Sequence, residues 1–231
     1  MIDKLSRFVP FRLRRAALGA IHGYTFPRAL HRISALAPKE LPSRDLLKQL
    51  RSGWGNEDWS GRTDYLEQVV KWAAMTQGPI LECGSGLTTI LLGLFAGQRG
   101  IPVWSLEHSI EWHERMTKTL RKHRIPGVEL CFTPVRDYGG FSWYDPPLDR
   151  MPPSFRMVVC DGPPERSTPG GRYGLLPVMR DRLGSGTVVL LDDVNLDAEQ
   201  AVLARWLSER SASKKIWRDE PSHFFALVVL D

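Results

Sequence analysis

The sequence predicts an α/β fold: a doubly wound, mostly parallel sheet of seven strands that closes on an antiparallel hairpin. Three observations predict it. From about residue 64, short apolar, β-branched runs alternate with segments of helical length; a Gly-Ser-Gly turn joins the first run to the first helix; and the last two runs follow each other with no helix between them. Apolar residues make up 42% of the 231 and charged residues 25%, as in folded soluble domains, which excludes wholesale disorder and fibrous repeats.

Gly78-Pro79 precedes the first strand, Ile80 to Cys83, and Gly84-Ser85-Gly86 turns into a helix over Leu87 to Ala96. Val103 to Leu106 is the second strand, Ile110 to His123 a helix of mixed charge, and Val128 to Phe132 the third strand. A long Gly/Pro-rich segment then leads to the fourth strand, Phe155 to Cys160. Tyr173 to Leu183 suits a helix, Thr187 to Leu191 a fully buried strand and Asp197 to Glu209 a further helix. Lys214 to Arg218 and Phe224 to Leu230, separated by a short turn containing Pro221, form the terminal hairpin. Continuous apolar strands of this kind are buried on both faces, and such sheets bind ligands at the carboxyl ends of their strands.

The net charge of +5 sits at one end. Residues 1–36 carry seven Lys/Arg against one acid, and the remaining 24 basic and 25 acidic residues balance. The head, from Arg7 through Arg15 to Arg32, mixes arginine with apolar residues and reads as a basic amphipathic helical extension over 1–40, with the Pro/Ser stretch Ala37 to Ser43 as the boundary to a domain over 41–231. Solvated packing, docking on an anionic membrane surface or a protein, and nucleic-acid contact are its three readings, nucleic acid the least favoured. A secretory signal does not fit, since no clean apolar core follows Arg12, Arg14 and Arg15, although an arginine-rich, acid-poor segment is compatible with a transit peptide. Cys83, Cys131 and Cys160 lack metal-ligand spacing and lie in strand-like stretches, so buried reduced thiols and a cytoplasmic location, with membrane attachment at most peripheral, are expected. No run approaches the roughly 20 apolar residues of a membrane span.

The ends of the strands carry the chemistry. Glu82-Cys83-Gly84-Ser85-Gly86-Leu87-Thr88-Thr89 offers glycines for close backbone approach and free N–H groups at a helix start. A dinucleotide fingerprint would need a third glycine where Thr89 stands and no preceding acid, so a diphosphate is disfavoured. Glu82 suits a ligand with a positive amine. Glu107, after the second strand, lies where an acid accepts both hydroxyls of a ribose. Ribose plus ammonium without phosphate describes S-adenosylmethionine.

On these residues the chain, over about 60–231, resembles the class I S-adenosylmethionine-dependent methyltransferases, whose Rossmann-like seven-stranded sheet ends in a reversed hairpin. The resemblance makes Glu82, Gly84, Ser85, Gly86, Thr88, Glu107 and its neighbour His108 cofactor-binding residues, and in the Val135-Arg136-Asp137-Tyr138 loop it gives Asp137 the adenine amine. Asp161, before Gly162-Pro163-Pro164, and Asp192-Asp193, before Val194-Asn195, end the fourth and fifth strands. Three carboxylates at one rim call for a divalent cation or a basic substrate group. In pattern this is similar to the metal-dependent small-molecule O-methyltransferases, which implies Mg²⁺ held by Asp161, Asp192 and Asp193. The alternative is that Asp161 contacts the cofactor's amino-acid end and Asp192 or Asp193 caps the next helix. Without a metal, Asp161 or Asp193 is the candidate general base, and no Lys or His follows Asp161 closely.

A motif of base-modifying amino-methyltransferases, Asp-Pro-Pro-aromatic, is broken here by Gly162 and by Glu165 where a stacking ring is needed. Trp54, Trp59, Trp143 and Tyr144 are candidates to shape a substrate entrance, Arg166 and Arg172 to receive an acidic substrate, and His113 is a helix-surface residue. The expected activity is methyl transfer to a hydroxyl of a small or glycan-like acceptor. Methylation of RNA or protein recruited by the head, and a non-catalytic cofactor-binding scaffold, are the alternatives.

Overall fold

The computed structural model describes residues 11–37, 40–56, 59–220 and 223–231. The chain divides into two compact units, 1–63 and 64–231. This differs from a boundary near residue 40, because the segment after the Pro/Ser stretch is a second helix that packs on the first.

In the first unit α1 (Phe11–Ser34) runs through Pro27 as one helix. Helix α2 (Arg44–Trp54) starts at Ser43, whose side chain accepts the Leu46 N–H, and stops at Gly55 in the left-handed conformation. Trp54, a candidate for the substrate entrance, therefore lies in the last turn of a helix. The two helices touch at backbone level: a Cβ on Gly53 would lie 2.5 Å from the Phe26 nitrogen. Beside this contact the Phe26 and Trp54 rings pack at 5.2 Å.

The second unit is built on β1 (Ile80–Cys83), β2 (Val103–Glu107), β3 (Val128–Phe132), β6 (Phe155–Cys160), β7 (Leu183–Leu191), β8 (Ala212–Glu220) and β9 (His223–Leu230). Their order is β3-β2-β1-β6-β7-β9-β8. The first five are parallel, and β9 runs antiparallel between β7 and β8. The predicted seven-stranded, doubly wound sheet with its terminal antiparallel hairpin is thus the observed one. Chain order reverses at β1, which has β2 on one side and β6 on the other, so the switch point lies between β1 and β6.

Strand alternation sorts the core into two layers. Ile80, Val103, Val159 and Leu190 face α3 (Thr63–Met75) and α4 (Leu87–Phe95), packing with Tyr65, Val69, Ala73 and Leu92. Leu81, Cys83, Leu106, Cys160 and Leu191 face the other way, against α6 (Leu175–Met179), α7 (Asp197–Glu209) and a small hairpin. Helix α5 (Ile110–Lys122) starts at Ser109, whose Oγ accepts the Trp112 N–H. Arg99 donates to the carbonyls of Ala73, Ala74 and Thr76 and so closes the C-terminus of α3. All three cysteines are buried free thiols.

Two stretches depart from the sequence reading. The Gly/Pro-rich segment contains a second, two-stranded sheet, β4 (Val135–Asp137) with β5 (Ser142–Tyr144), whose strands are too short to show a period. The Tyr173–Leu183 helix is broken into 3₁₀ turns flanking α6, with β7 already starting at Leu183. Gly174 causes part of this: its missing side chain lets the chain approach Trp143, whose Cβ and Cγ lie 2.4 Å from where a Cβ would stand.

Among the described residues no helix is long and apolar enough to cross a membrane.

Candidate functional site

The carboxyl ends of β1, β2, β6 and β7 meet at the switch point. Gly84, directly after β1, has φ of 94°, a left-handed conformation that favours glycine. A Cβ there would stand 3.3 Å from the Gly162 nitrogen, so the loops after β1 and β6 approach each other backbone to backbone. Gly86 differs. Its φ of 177° is ordinary extended backbone, and a Cβ built on it meets nothing within 4 Å. The protein's own packing does not require glycine at 86; it leaves a cradle above the start of α4.

Two acids flank this cradle. Glu107, at the end of β2, is 4% exposed. Its Oε2 accepts the Ser85 hydroxyl at 2.7 Å and the Ser85 N–H at 3.3 Å, and its Oε1 accepts the Ser109 N–H at 2.8 Å. The carboxylate is thereby clamped to the glycine loop, which Trp112 Nε1 also holds by donating to the Ser85 carbonyl. Glu82 is fully buried. Its Oε2 accepts from Thr89 Oγ1 at 2.6 Å and from Ser105 Oγ at 2.5 Å, whereas Oε1 is buried with no partner among the described residues. Burial pushes the Glu82 carboxyl up to about 7 against the hydrogen bonds from Ser105, Thr88 and Thr89, with the Glu107 charge adding to the rise. Thr89 Oγ1 also accepts the Gly86 N–H at 2.7 Å, tying the acid to the loop.

Thr88 is buried beside Glu82 and favours its charged form. Thr89 and Ser105, which sequence reasoning missed, do the same. Their signal was weak, because a hydroxyl in a helix start or a strand is common and its partner is set by the neighbouring strand.

The three aspartates do converge, but on a guanidinium. Arg172, 4% exposed, donates Nη2 to Asp161 Oδ1 at 3.0 Å and to Asp193 Oδ2 at 2.8 Å. It also donates to the carbonyls of Asp161 at 3.1 Å and Asp192 at 2.5 Å. Glu199 Oε1 lies 3.9 Å from its Nε. His223 Nε2 stands 3.1 Å from Asp192 Oδ1 and 3.5 Å from Asp193 Oδ1.

Burial opposes charge on every member of this cluster. It drives Asp161 well above the usual carboxylate range, with Asp192 adding to it. Asp193 is held well below that range, because the hydrogen bonds from His223 and Arg172 outweigh its burial. Against its burial, the hydrogen bonds to Asp192 and Asp193 and the charges of these two acids raise His223 to about 10.

The Mg²⁺ site expected from Asp161, Asp192 and Asp193 is thus corrected. Arg172 Nη2 stands between Asp161 and Asp193, and a permanent cation there repels a second one. A ligand atom each from Asp192, Asp193 and His223 lies within 4.8 Å of the others, with His223 Nε2 turned onto Asp192 Oδ1 at 3.1 Å. Asp161 is taken by Arg172, so a divalent ion here would have Asp192, Asp193 and His223 as its ligands, not the three aspartates. Arg172, expected from the sequence to receive an acidic substrate, instead holds the chain's own acids after β6 and β7.

Asp137 ends β4 and is exposed, and its Oδ1 accepts the Gly139 N–H at 2.8 Å, which caps the turn of the hairpin. His108 lies beside Glu107, Nδ1 to Oε1 3.4 Å, with its ring edge-on to Tyr144 at 6.0 Å. His113 packs α5 onto β3, its Nε2 3.3 Å from the Leu130 carbonyl. Of the entrance aromatics, Trp143 and Tyr144 are fully buried and Trp59 is 76% exposed in the other unit. Arg166 is exposed. In the head, Arg28 donates to the Tyr24 hydroxyl and Arg32 to Gln49; the side chains of Arg7, Arg12, Arg14 and Arg15 lie outside the described residues.

No family model and no curated protein matches the sequence. Solved structures match the fold. An SAH-bound methyltransferase of Podospora anserina, PaMTH1, superposes with a TM-score of 0.59 at 13% identity, over 97% of this chain and 99% of its own. The O-methyltransferase TomG of Streptomyces achromogenes, in complex with SAM and involved in tomaymycin synthesis, gives 0.55 at 19% identity, over 88% and 96%. A precorrin-6Y C5,15-methyltransferase of Geobacter metallireducens gives 0.56 at 13%, over 76% and 91%.

Proposed function

We propose that this protein transfers the methyl group of S-adenosylmethionine to a hydroxyl of a small or glycan-like acceptor, without a metal ion. The observation that carries the cofactor is the cradle at Gly86 between two buried acids, one clamped over the glycine loop and one with an orphaned oxygen. A ribose offers two hydroxyl donors to Glu107, and an ammonium group offers the missing partner to Glu82 Oε1. Anionic phosphates would meet two carboxylates and gain nothing. The methyltransferase neighbours share the fold, and some of them carry SAM or SAH.

The sulfonium of the cofactor supplies an activated methyl group, so the chain's residues have to position the acceptor and take its proton. Both Asp193 oxygens are engaged, Oδ1 with His223 and Oδ2 with Arg172. Asp161 commits Oδ1 to Arg172, and it has to enter the reaction ionised, a state that the guanidinium favours against the burial of the carboxyl. In this reading Asp161 receives the hydroxyl proton as the oxygen attacks, and Arg172, with Asp193, fixes its orientation.

The test is calorimetric titration of S-adenosylhomocysteine into the full chain and Glu107→Ala, followed by labelled-methyl transfer to hydroxyl acceptors with Mg²⁺ or with chelator. Binding weakened about tenfold or more by the substitution, and transfer indifferent to chelator, are expected. Absence of binding to the unaltered chain refutes the cofactor reading, and transfer abolished by chelator refutes the metal-independent one.

A further inference from the structure

Tyr144, the last residue of β5, brings a polar group to the switch point that the reading above does not use. Its side chain is fully buried. A Cβ on Gly162 would stand 2.5 Å from the Tyr144 hydroxyl, and the same position lies 3.2 Å from Gly84 Cα and 3.3 Å from the Cys83 carbonyl. The hydroxyl therefore occupies the gap between the loops after β1 and β6 that glycine at 162 leaves open.

There the hydroxyl has no hydrogen-bond partner among the described residues. Buried hydroxyls without partners are rare in folded proteins, because each forfeits its bonds to water. Nor is the ring free to turn away. Tyr138 Oη donates to the Tyr144 carbonyl at 2.9 Å, Tyr144 pairs with Val135 across the hairpin, and the Trp143 and His108 rings meet its own edge-on at 5.3 and 6.0 Å. Burial, together with the nearby Cys83 and Glu107, raises the phenol well above its ordinary value, so it stays a neutral donor. What it requires is an acceptor supplied from outside the chain.

We propose that Tyr144 Oη donates a hydrogen bond to the carboxylate at the amino-acid end of the bound cofactor, and that glycine at 162 keeps the place for that hydroxyl. This rests on the cofactor reading above. The partition follows from charge: Glu82 can take the ammonium, whereas the carboxylate comes among the acids at the ends of β1, β2 and β6, Glu82, Glu107 and Asp161. A neutral donor there offsets part of that repulsion, since the buried cation nearby, Arg172, is already committed to Asp161 and Asp193.

The test uses Tyr144→Phe in the full chain, which removes one oxygen and keeps the ring. The probes are S-adenosylhomocysteine and 5′-methylthioadenosine, which lacks the amino-acid end. The expected result is S-adenosylhomocysteine bound about tenfold or more weakly, as for a lost hydrogen bond to a charged group. Methylthioadenosine should then bind within about twofold of the unaltered chain, with the ligand-free melting temperature unchanged or raised, since an unpartnered buried hydroxyl has been removed. Unchanged S-adenosylhomocysteine binding overturns the inference, as does equal weakening of both probes or a lowered ligand-free melting temperature, which would make the hydroxyl structural. Failure of the unaltered chain to bind S-adenosylhomocysteine refutes the cofactor reading and this inference with it.

Discussion

Replacing Arg172 by Met tests the assignment of the cluster most directly. The guanidinium makes four hydrogen bonds of 2.5 to 3.1 Å, two to carboxylates and two to carbonyls, while only 4% exposed. Methionine keeps a long flexible stem and removes all four. Asp161, Asp192 and Asp193 then share a rim with His223 as the remaining cation. Breaking a buried ion pair from one side costs about 3–5 kcal/mol. At about 2–4 °C per kcal/mol for a unit of this size, the melting temperature should fall by about 6–20 °C. The deficit depends on pH with a definite sign. Without Arg172 the folded-state pKa of Asp161 and of Asp193 is raised, so the folded variant is penalised as pH rises and relieved as the carboxyls protonate. Thermal unfolding at pH 5 and pH 8, with and without millimolar Mg²⁺, reads all of this. The deficit should be larger at pH 8, and Mg²⁺ should restore part of it in the variant and leave the unaltered protein unmoved. A loss below about 1 kcal/mol at pH 8, the size of an exposed pair, would refute the reasoning. So would stabilisation of the unaltered protein by Mg²⁺, which would return the three aspartates to a metal role.

Further predictions concern the neighbouring groups. Glu82, held near 7, must be ionised to receive an ammonium, so S-adenosylhomocysteine affinity should rise up to about tenfold from pH 6 to pH 8, with proton release in calorimetry. Glu82→Gln should abolish that dependence. His223, raised to about 10, gives stability that is complete below its unfolded value near 6.5 and is lost as pH climbs through 10. His223→Gln should flatten this alkaline limb in denaturant titrations. Gly174→Ala would place a methyl group 2.4 Å from Trp143 and should cost about 1–3 kcal/mol, seen in urea unfolding and in the near-ultraviolet signal of the buried indole.

Much of the architecture is written in local pattern. Ile80 to Cys83, Val128 to Phe132 and Phe155 to Cys160 are strands within the predicted bounds, and Asp197 to Glu209 is the predicted helix. Apolar runs of strand length, bounded by glycine and proline, leave little choice of period. Because parallel strands present their carboxyl ends on one side of a sheet, the acids Glu82, Glu107, Asp161 and Asp192-Asp193 were legible as a group before any coordinates. The hairpin β4–β5 was not, since three-residue strands carry no periodicity and owe their pairing to burial of Trp143 and Tyr144.

What those acids face is a matter of distance through space. Sequence spacing shows three aspartates and implies a cation; it does not show which cation. The answer comes from a broken helix that carries Arg172 back over the rim and from β9, inserted between β7 and β8, which delivers His223. The Asp137 carboxylate, by contrast, accepts an N–H only two residues away. The sequence by itself determined the order of the strands' chemistry and the kind of ligand their ends invite. The tertiary structure decided which side chains are already satisfied by the protein and which, like Glu82 Oε1 and the Tyr144 hydroxyl, are left for a ligand, because burial makes every polar atom find a partner or forfeit its bonds to water.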